Sequence, residues 1–110
     1  MFVKIIKSYR DIVAICDSEL IGKTFISQES DGLGKSSKKG KFQLDIKESF
    51  FKGKQVSEEE LKKIILDMSE EDAIFNLVGN RSVRIALETG IISEEGIKEI
   101  QGVKFAMVLI

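Results

Sequence analysis

The sequence predicts an α+β domain: a small mixed sheet with an N-terminal β-hairpin, a central strand after a mobile loop, two to four helices in the C-terminal half and a buried C-terminal strand. Three observations carry that prediction. β-Branched runs open the chain, serine-led acidic helix starts crowd its second half, and the closing Val103-Lys-Phe-Ala-Met-Val-Leu-Ile is apolar on both alternating faces. At 110 residues one domain covering 1–110 is expected, large enough to bury about 65% of its unfolded surface without metal or disulfide support.

Phe2-Val-Lys-Ile-Ile-Lys and Ile12-Val-Ala-Ile-Cys flank a polar Ser-Tyr-Arg-Asp turn, the pattern of a hairpin with strands at about 2–7 and 11–16. Asp17-Ser-Glu-Leu-Ile-Gly-Lys has room for one helical turn or a tight loop before Thr24-Phe-Ile. Residues 27–40 hold one large apolar side chain, too little burial to offset the ordering of the chain, so a flexible loop is expected there. In Lys41-Phe-Gln-Leu-Asp-Ile-Lys the apolar Phe42, Leu44 and Ile46 alternate with polar neighbours, as in a half-exposed strand, and Phe50-Phe51-Lys-Gly-Lys closes the segment in a glycine turn.

Ser57-Glu-Glu-Glu60, Ser69-Glu-Glu-Asp72 and Ser93-Glu-Glu each set a capping hydroxyl before acidic residues suited to the positive end of a helix dipole. Leu61, Ile64, Ile65 and Met68 give an apolar stripe for a helix over 58–68. Val83, Ile85, Ala86 and Leu87 support a second over 80–89, stopped by Gly90, and a short helix is expected over 94–100.

Histidine is absent, which removes the commonest general base and metal ligand together. Cys16 is the one cysteine and cannot form an internal disulfide. No signal-peptide pattern and no run near 20 apolar residues is present, so a cytoplasmic protein outside the membrane is expected. No cofactor or metal is called for. Proline is also absent while Lys, Glu and Ile abound, a composition compatible with a high-temperature organism.

Charge divides along the chain. Residues 1–56 carry eleven Lys/Arg against seven Asp/Glu, and residues 57–110 carry six against eleven. Such halves either attract one another across solvated faces or offer a basic surface to a polyanion. Gly34-Lys35-Ser36 is not a nucleotide-binding loop, because Glu29 stands where the first glycine is needed and a strand follows instead of a helix. Residues 35–54 nevertheless gather seven lysines, among them Lys35, Lys38, Lys39, Lys41, Lys52 and Lys54, interleaved with Phe42, Phe50 and Phe51. That pattern fits either RNA contact or a solubilising loop above core aromatics.

Around Gly79 an apolar run turns into a helix. In one reading Gly79 supplies backbone freedom, Asn80 caps, and Arg81 and Arg84 meet nearby acids. In the other, Arg81 and the N–H groups of positions 80–82 hold a phosphate or carboxylate. Cys16, Asp17, Glu19 and Lys23 form the one cluster with a nucleophile, carboxylates and a cation; Cys16 ends a strand pattern and reads equally as a small buried hydrophobe.

These residues also carry a resemblance. Ala14-Ile-Cys-Asp-Ser-Glu-Leu-Ile-Gly-Lys-Thr-Phe, Phe50-Phe-Lys-Gly with Val56-Ser-Glu-Glu-Glu, Asn76-Leu-Val-Gly with Ser82-Val, Gly90-Ile-Ile and Gly102-Val resemble an archaeal family of uncharacterised conserved proteins, the domain of unknown function four-two-four. Lys104-Phe105 stand where that family's pattern has Pro-His. The resemblance implies a cytosolic archaeal α+β protein, no activity to transfer, and a link to translation or ribosome biogenesis. It marks Cys16, Asp17, Glu19, Gly22, Lys23, Asn76, Gly79 and Ser82 without assigning them roles. The leading expectation is a non-enzymatic module for RNA or a ribonucleoprotein. A protein-interaction or homo-oligomeric module is the alternative, and a small enzyme built on Cys16, Asp17 and Lys23 the third reading.

Overall fold

The computed structural model describes residues 1–26 and 43–109. The two N-terminal runs pair as an antiparallel hairpin of β1 (Phe2–Ile6) and β2 (Ile12–Cys16), with Phe2 opposite Cys16 and Ile6 opposite Ile12. A 3-10 turn at Ser18–Leu20 leads into β3 (Thr24–Ile26). Then come β4 (Gln43–Asp45), α1 (Glu48–Phe51), β5 (Lys54–Gln55), α2 (Glu58–Ser69), β6 (Ile74–Val78) and α3 (Asn80–Thr89). A 3-10 turn at Glu94–Gly96, β7 (Lys98–Ile100) and β8 (Val103–Leu109) complete the order.

The main sheet runs β5-β1-β2-β6-β8-β7, and β3 pairs with β4 apart from it. Every neighbouring pair is antiparallel except β2 with β6. A parallel pair requires a long crossover, and α2 lies within it. Alternation on the pleat then sorts the side chains. Val13, Ile15, Phe75, Leu77 and Ala106 pack with Leu61 and Ile65 of α2 and with Val83 and Ala86 of α3 in one buried cluster. Fully burying each of the larger side chains contributes about 1.5–3 kcal/mol. On the opposite face Ala14, Cys16 and Val78 pack with Ile46 and Phe51 in a second, smaller cluster.

Local chemistry sets the helix ends. The Ser57 hydroxyl accepts from Glu60 N at 3.2 Å while Glu60 Oε1 accepts from Ser57 N at 3.2 Å, closing a reciprocal cap on α2. α3 stops at Gly90, whose backbone is left-handed.

Five local expectations differ. Ser69 ends α2 instead of starting a helix: its hydroxyl donates to Leu66 O at 2.8 Å, and the chain turns directly into β6. Residues 98–100 form a strand, because Ile100 is buried opposite Val103 and the helical turn stops at Gly96. The segment over 48–51 is a single turn of helix that buries Phe51, and β4 joins β3 instead of the main sheet. Finally, β8 lies between β6 and β7 only as far as Phe105, and beyond it Met107 and Leu109 are 63% and 67% exposed. The expected loop at 27–40 and Phe42 lie outside the described residues.

Candidate functional site

Because β2 and β6 are parallel neighbours with Cys16 opposite Val78, they end side by side, and Asp17 and Gly79 emerge together at the start of α3. Asp17 N donates to Val78 O at 3.1 Å and Gly79 N donates to Lys104 O at 2.7 Å, which locks both exits to the sheet. The Asp17 carboxylate then turns under the helix. Oδ2 accepts from Arg81 N at 3.0 Å, and Oδ1 accepts from Ser82 N at 2.9 Å and from Ser82 Oγ at 2.7 Å. Asp17 is 3% exposed and Ser82 is fully buried. A carboxylate at a helix N-terminus receives charge-assisted hydrogen bonds and the favourable end of the dipole. Two of the N–H donors that the sequence reading offered to an external anion are therefore met from within the chain.

Asn80 does not cap the helix. Gly79 occupies the capping position, with φ at 114°, and Asn80 is already helical. Its side chain points instead to β8 and its preceding turn, donating to Gly102 O at 3.3 Å and accepting from Lys104 N at 2.9 Å.

The arginines are met as well. Arg81 stands 3.8 Å from Glu19, and Arg84 bridges Glu58 at 2.8 Å and Glu88 at 3.1 Å, where Lys62 approaches at 3.2 Å. The hydrogen bond that Arg84 donates to Glu58 is the main cause that raises the Arg84 pKa, and the hydrogen bond that Lys62 donates is the main one that lowers that of Glu88. All of these pairs are exposed, and Arg84–Glu58 and Lys62–Glu88 tie α2 to α3 through solvent-screened contacts.

Cys16 is fully buried, and its thiol is pushed up to about 12, first by burial and then by the negative Asp17. Both effects suppress the thiolate that nucleophilic chemistry needs. Gly22 and Lys23 hold backbone positions: Gly22 N donates to Ile46 O at 2.7 Å, and Lys23 O accepts from Ile46 N at 2.9 Å. The structure thus brings Asp17, Gly79 and Ser82 into direct contact and places Glu19 beside Arg81. It gives Cys16 to the second cluster and Gly22 and Lys23 to the anchoring of the β3–β4 pair.

Asn76 belongs to a different place. It is half-buried on the sheet face opposite α2 and α3, where a cavity of about 620 Å3 is lined by Leu44, Phe50, Val78, Lys98, Phe105 and Met107 among others. Lys98 and Phe105 sit opposite each other in the β7–β8 register. The sequence pattern marks neither for this face, since Lys98 falls within the helix expected over 94–100 and three residues are too few to show a strand period. Lys52 and Lys54 are exposed, Lys54 lying 3.9 Å from Glu60, whereas Lys35, Lys38, Lys39 and Lys41 lie outside the described residues. Among the described residues no helix is long and apolar enough to cross a membrane.

Residues 29–110 match the family described as "Protein of unknown function (DUF424)". No curated protein matches the chain. Among solved structures it is similar to an uncharacterized conserved protein from the archaeon Methanopyrus kandleri, with a TM-score of 0.72 and 23% identity over 98% of this chain and 90% of that one. That likeness bears on the fold.

Proposed function

For a chain that belongs to the DUF424 family, whose description assigns no activity, we propose a non-enzymatic module that binds RNA, free or within a ribonucleoprotein, on the sheet face opposite α2 and α3. The observation that carries the reading is the cavity of about 620 Å3 walled by Phe50 and Phe105, with Lys98 and Asn76 among its polar groups. Unpaired bases stack on aromatic rings regardless of sequence, an ammonium group answers the phosphate, and an amide reads a base edge. A cavity of this size accommodates a base and its sugar.

The distribution of charge supports the same face. Residues 57–73 and 80–95, which contain α2 and α3, carry ten Asp/Glu against four Lys/Arg. The cavity wall carries Lys98 and Asp45, and exposed Lys47 and Lys52 stand at the two ends of α1 with Glu48 in its first turn, a near balance in place of the acidic excess of the helical side. Lys35, Lys38, Lys39 and Lys41 belong to the same basic stretch of sequence. Arg81 and Arg84, each beside a glutamate, are left a secondary role at most.

The test is a titration of labelled single-stranded RNA at several salt concentrations. Binding is expected to weaken as salt rises, because phosphate contacts release counterions. Lys98→Glu is expected to weaken it at least tenfold, and Lys63→Glu on α2 to leave it unchanged. Binding that is undetectable at low salt, or indifferent to salt, refutes the proposal.

A further inference from the structure

Beyond Phe105 the outer edge of β8 is covered by no strand among the described residues. Lys104 fixes the direction of every backbone group along this strand, since its carbonyl accepts from Gly79 N at 2.7 Å and its N–H donates to the Asn80 side chain at 2.9 Å. Both groups therefore face β6. In an antiparallel strand the N–H and C=O of one residue point the same way, and those of the next residue point oppositely. Residues 104, 106 and 108 accordingly face β6, while 103, 105, 107 and 109 face the other side. β7 meets Val103 and Phe105 there and goes no further, because its register ends with Lys98 opposite Phe105. Among the described residues no strand lies opposite the outward N–H and C=O groups of Met107 or Leu109. Their side chains are also the most exposed aliphatic ones described, at 63% and 67%.

Open edges are usually blunted by lysine, proline, a bulge or shortness. From Phe105 to Leu109 this edge carries no charge and no proline. The far edge of the sheet is different. β5 is two residues long, begins with Lys54 beside Glu60, and leads into Val56, whose N–H is taken by Met1 O at 2.9 Å. A head-to-tail join of β8 to β5 is thereby disfavoured, and with it an open filament.

We infer that two copies of this chain pair β8 to β8, antiparallel, about a twofold axis at Val108. That register sets Met107 against Leu109 of the second copy and Leu109 against Met107 of the second copy. Both are hydrogen-bonded pairs, so the four outward groups of each copy find partners without displacing β7. The two exposed side chains of each copy meet on the same face, which suits cross-strand packing. Self-pairing needs no opposite charge, and the edge offers none. Met107 also lines the cavity of the RNA reading, so the dimer is measured without RNA and its outcome stands whatever the RNA titration shows.

The test is sedimentation of nuclease-treated full-length chain over a range of concentrations, together with amide hydrogen exchange. The expected result is a monomer–dimer equilibrium in which exchange at Met107 and Leu109 slows as concentration rises, and a dissociation constant at least tenfold weaker for Met107→Lys. Circular dichroism confirms that the variant is folded, and the wild-type exchange data stand without it. A monomer at every concentration overturns the inference. So do growth beyond a dimer, a dimer indifferent to Met107→Lys, and exchange at 107 and 109 that does not depend on concentration.

Discussion

The carboxylate of Asp17 occupies the space where a side chain at position 79 would begin: a Cβ built on Gly79 falls 2.3 Å from Asp17 Cγ and 2.6 Å from Oδ2. The residue is also at φ 114°, outside the range that L side chains adopt freely. Gly79→Ala is expected to lower stability by more than about 2 kcal/mol, because strain and displacement of the buried carboxylate act together. Urea denaturation measures it. A loss below about 0.5 kcal/mol would mean that Asp17 yields easily.

Asp17→Ala should cost roughly 2–4 kcal/mol, since it strands the N–H groups of Arg81 and Ser82 and the buried Ser82 hydroxyl at once. Asp17→Asn keeps a carbonyl acceptor and should lose less. Equal losses for the two variants, read from denaturation midpoints, would show that charge outweighs the number of acceptors.

Cys16 makes a prediction for alkaline solution. The folded thiol titrates at about 12 against an ordinary value of 9.0, so the folded state holds its proton while the unfolded chain releases it. The stability linked to this group is therefore fully present below pH 9 and is lost as pH rises from there toward 12. The alkaline slope should flatten in Cys16→Ala. Thiol labelling of the native protein near neutral pH should proceed only through unfolding, and labelling at the rate of a free cysteine would contradict the burial.

The Arg84 bridge between Glu58 and Glu88 is exposed and is therefore sensitive to salt. Arg84→Ala should lower the Tm slightly at low ionic strength and by less at high. Glu88 has its pKa lowered by Lys62 and then by Arg84, so its contribution is present above the usual carboxylate range and disappears as pH falls through the lowered value. Acid titration of the Glu88 resonance checks the direction.

Periodicity made most of the fold legible. The hairpin, α2 and α3 follow from side chains that repeat with the period of their own element, and each reads correctly within a residue or two. Ser69 misled because a serine before acidic residues looks the same at either end of a helix, and only the return of the chain to β6 decides. The site was legible in part. Asp17, Gly79 and Ser82 were each marked, but their junction arises because β2 and β6 are parallel neighbours, a relation across more than sixty positions that local pattern does not encode. Lys98 was lost with the expected helix around it.

The parallel pairing at the centre of the sheet also sets an order of events. Ile12 lies opposite Ile74, 62 positions on, so a large loop must close before that pairing rewards the chain. The hairpin of β1 and β2 and the reciprocally capped α2 draw on neighbours only. Folding should begin there and wait on the central closure, giving a slow, high-contact-order rate for a chain of this length.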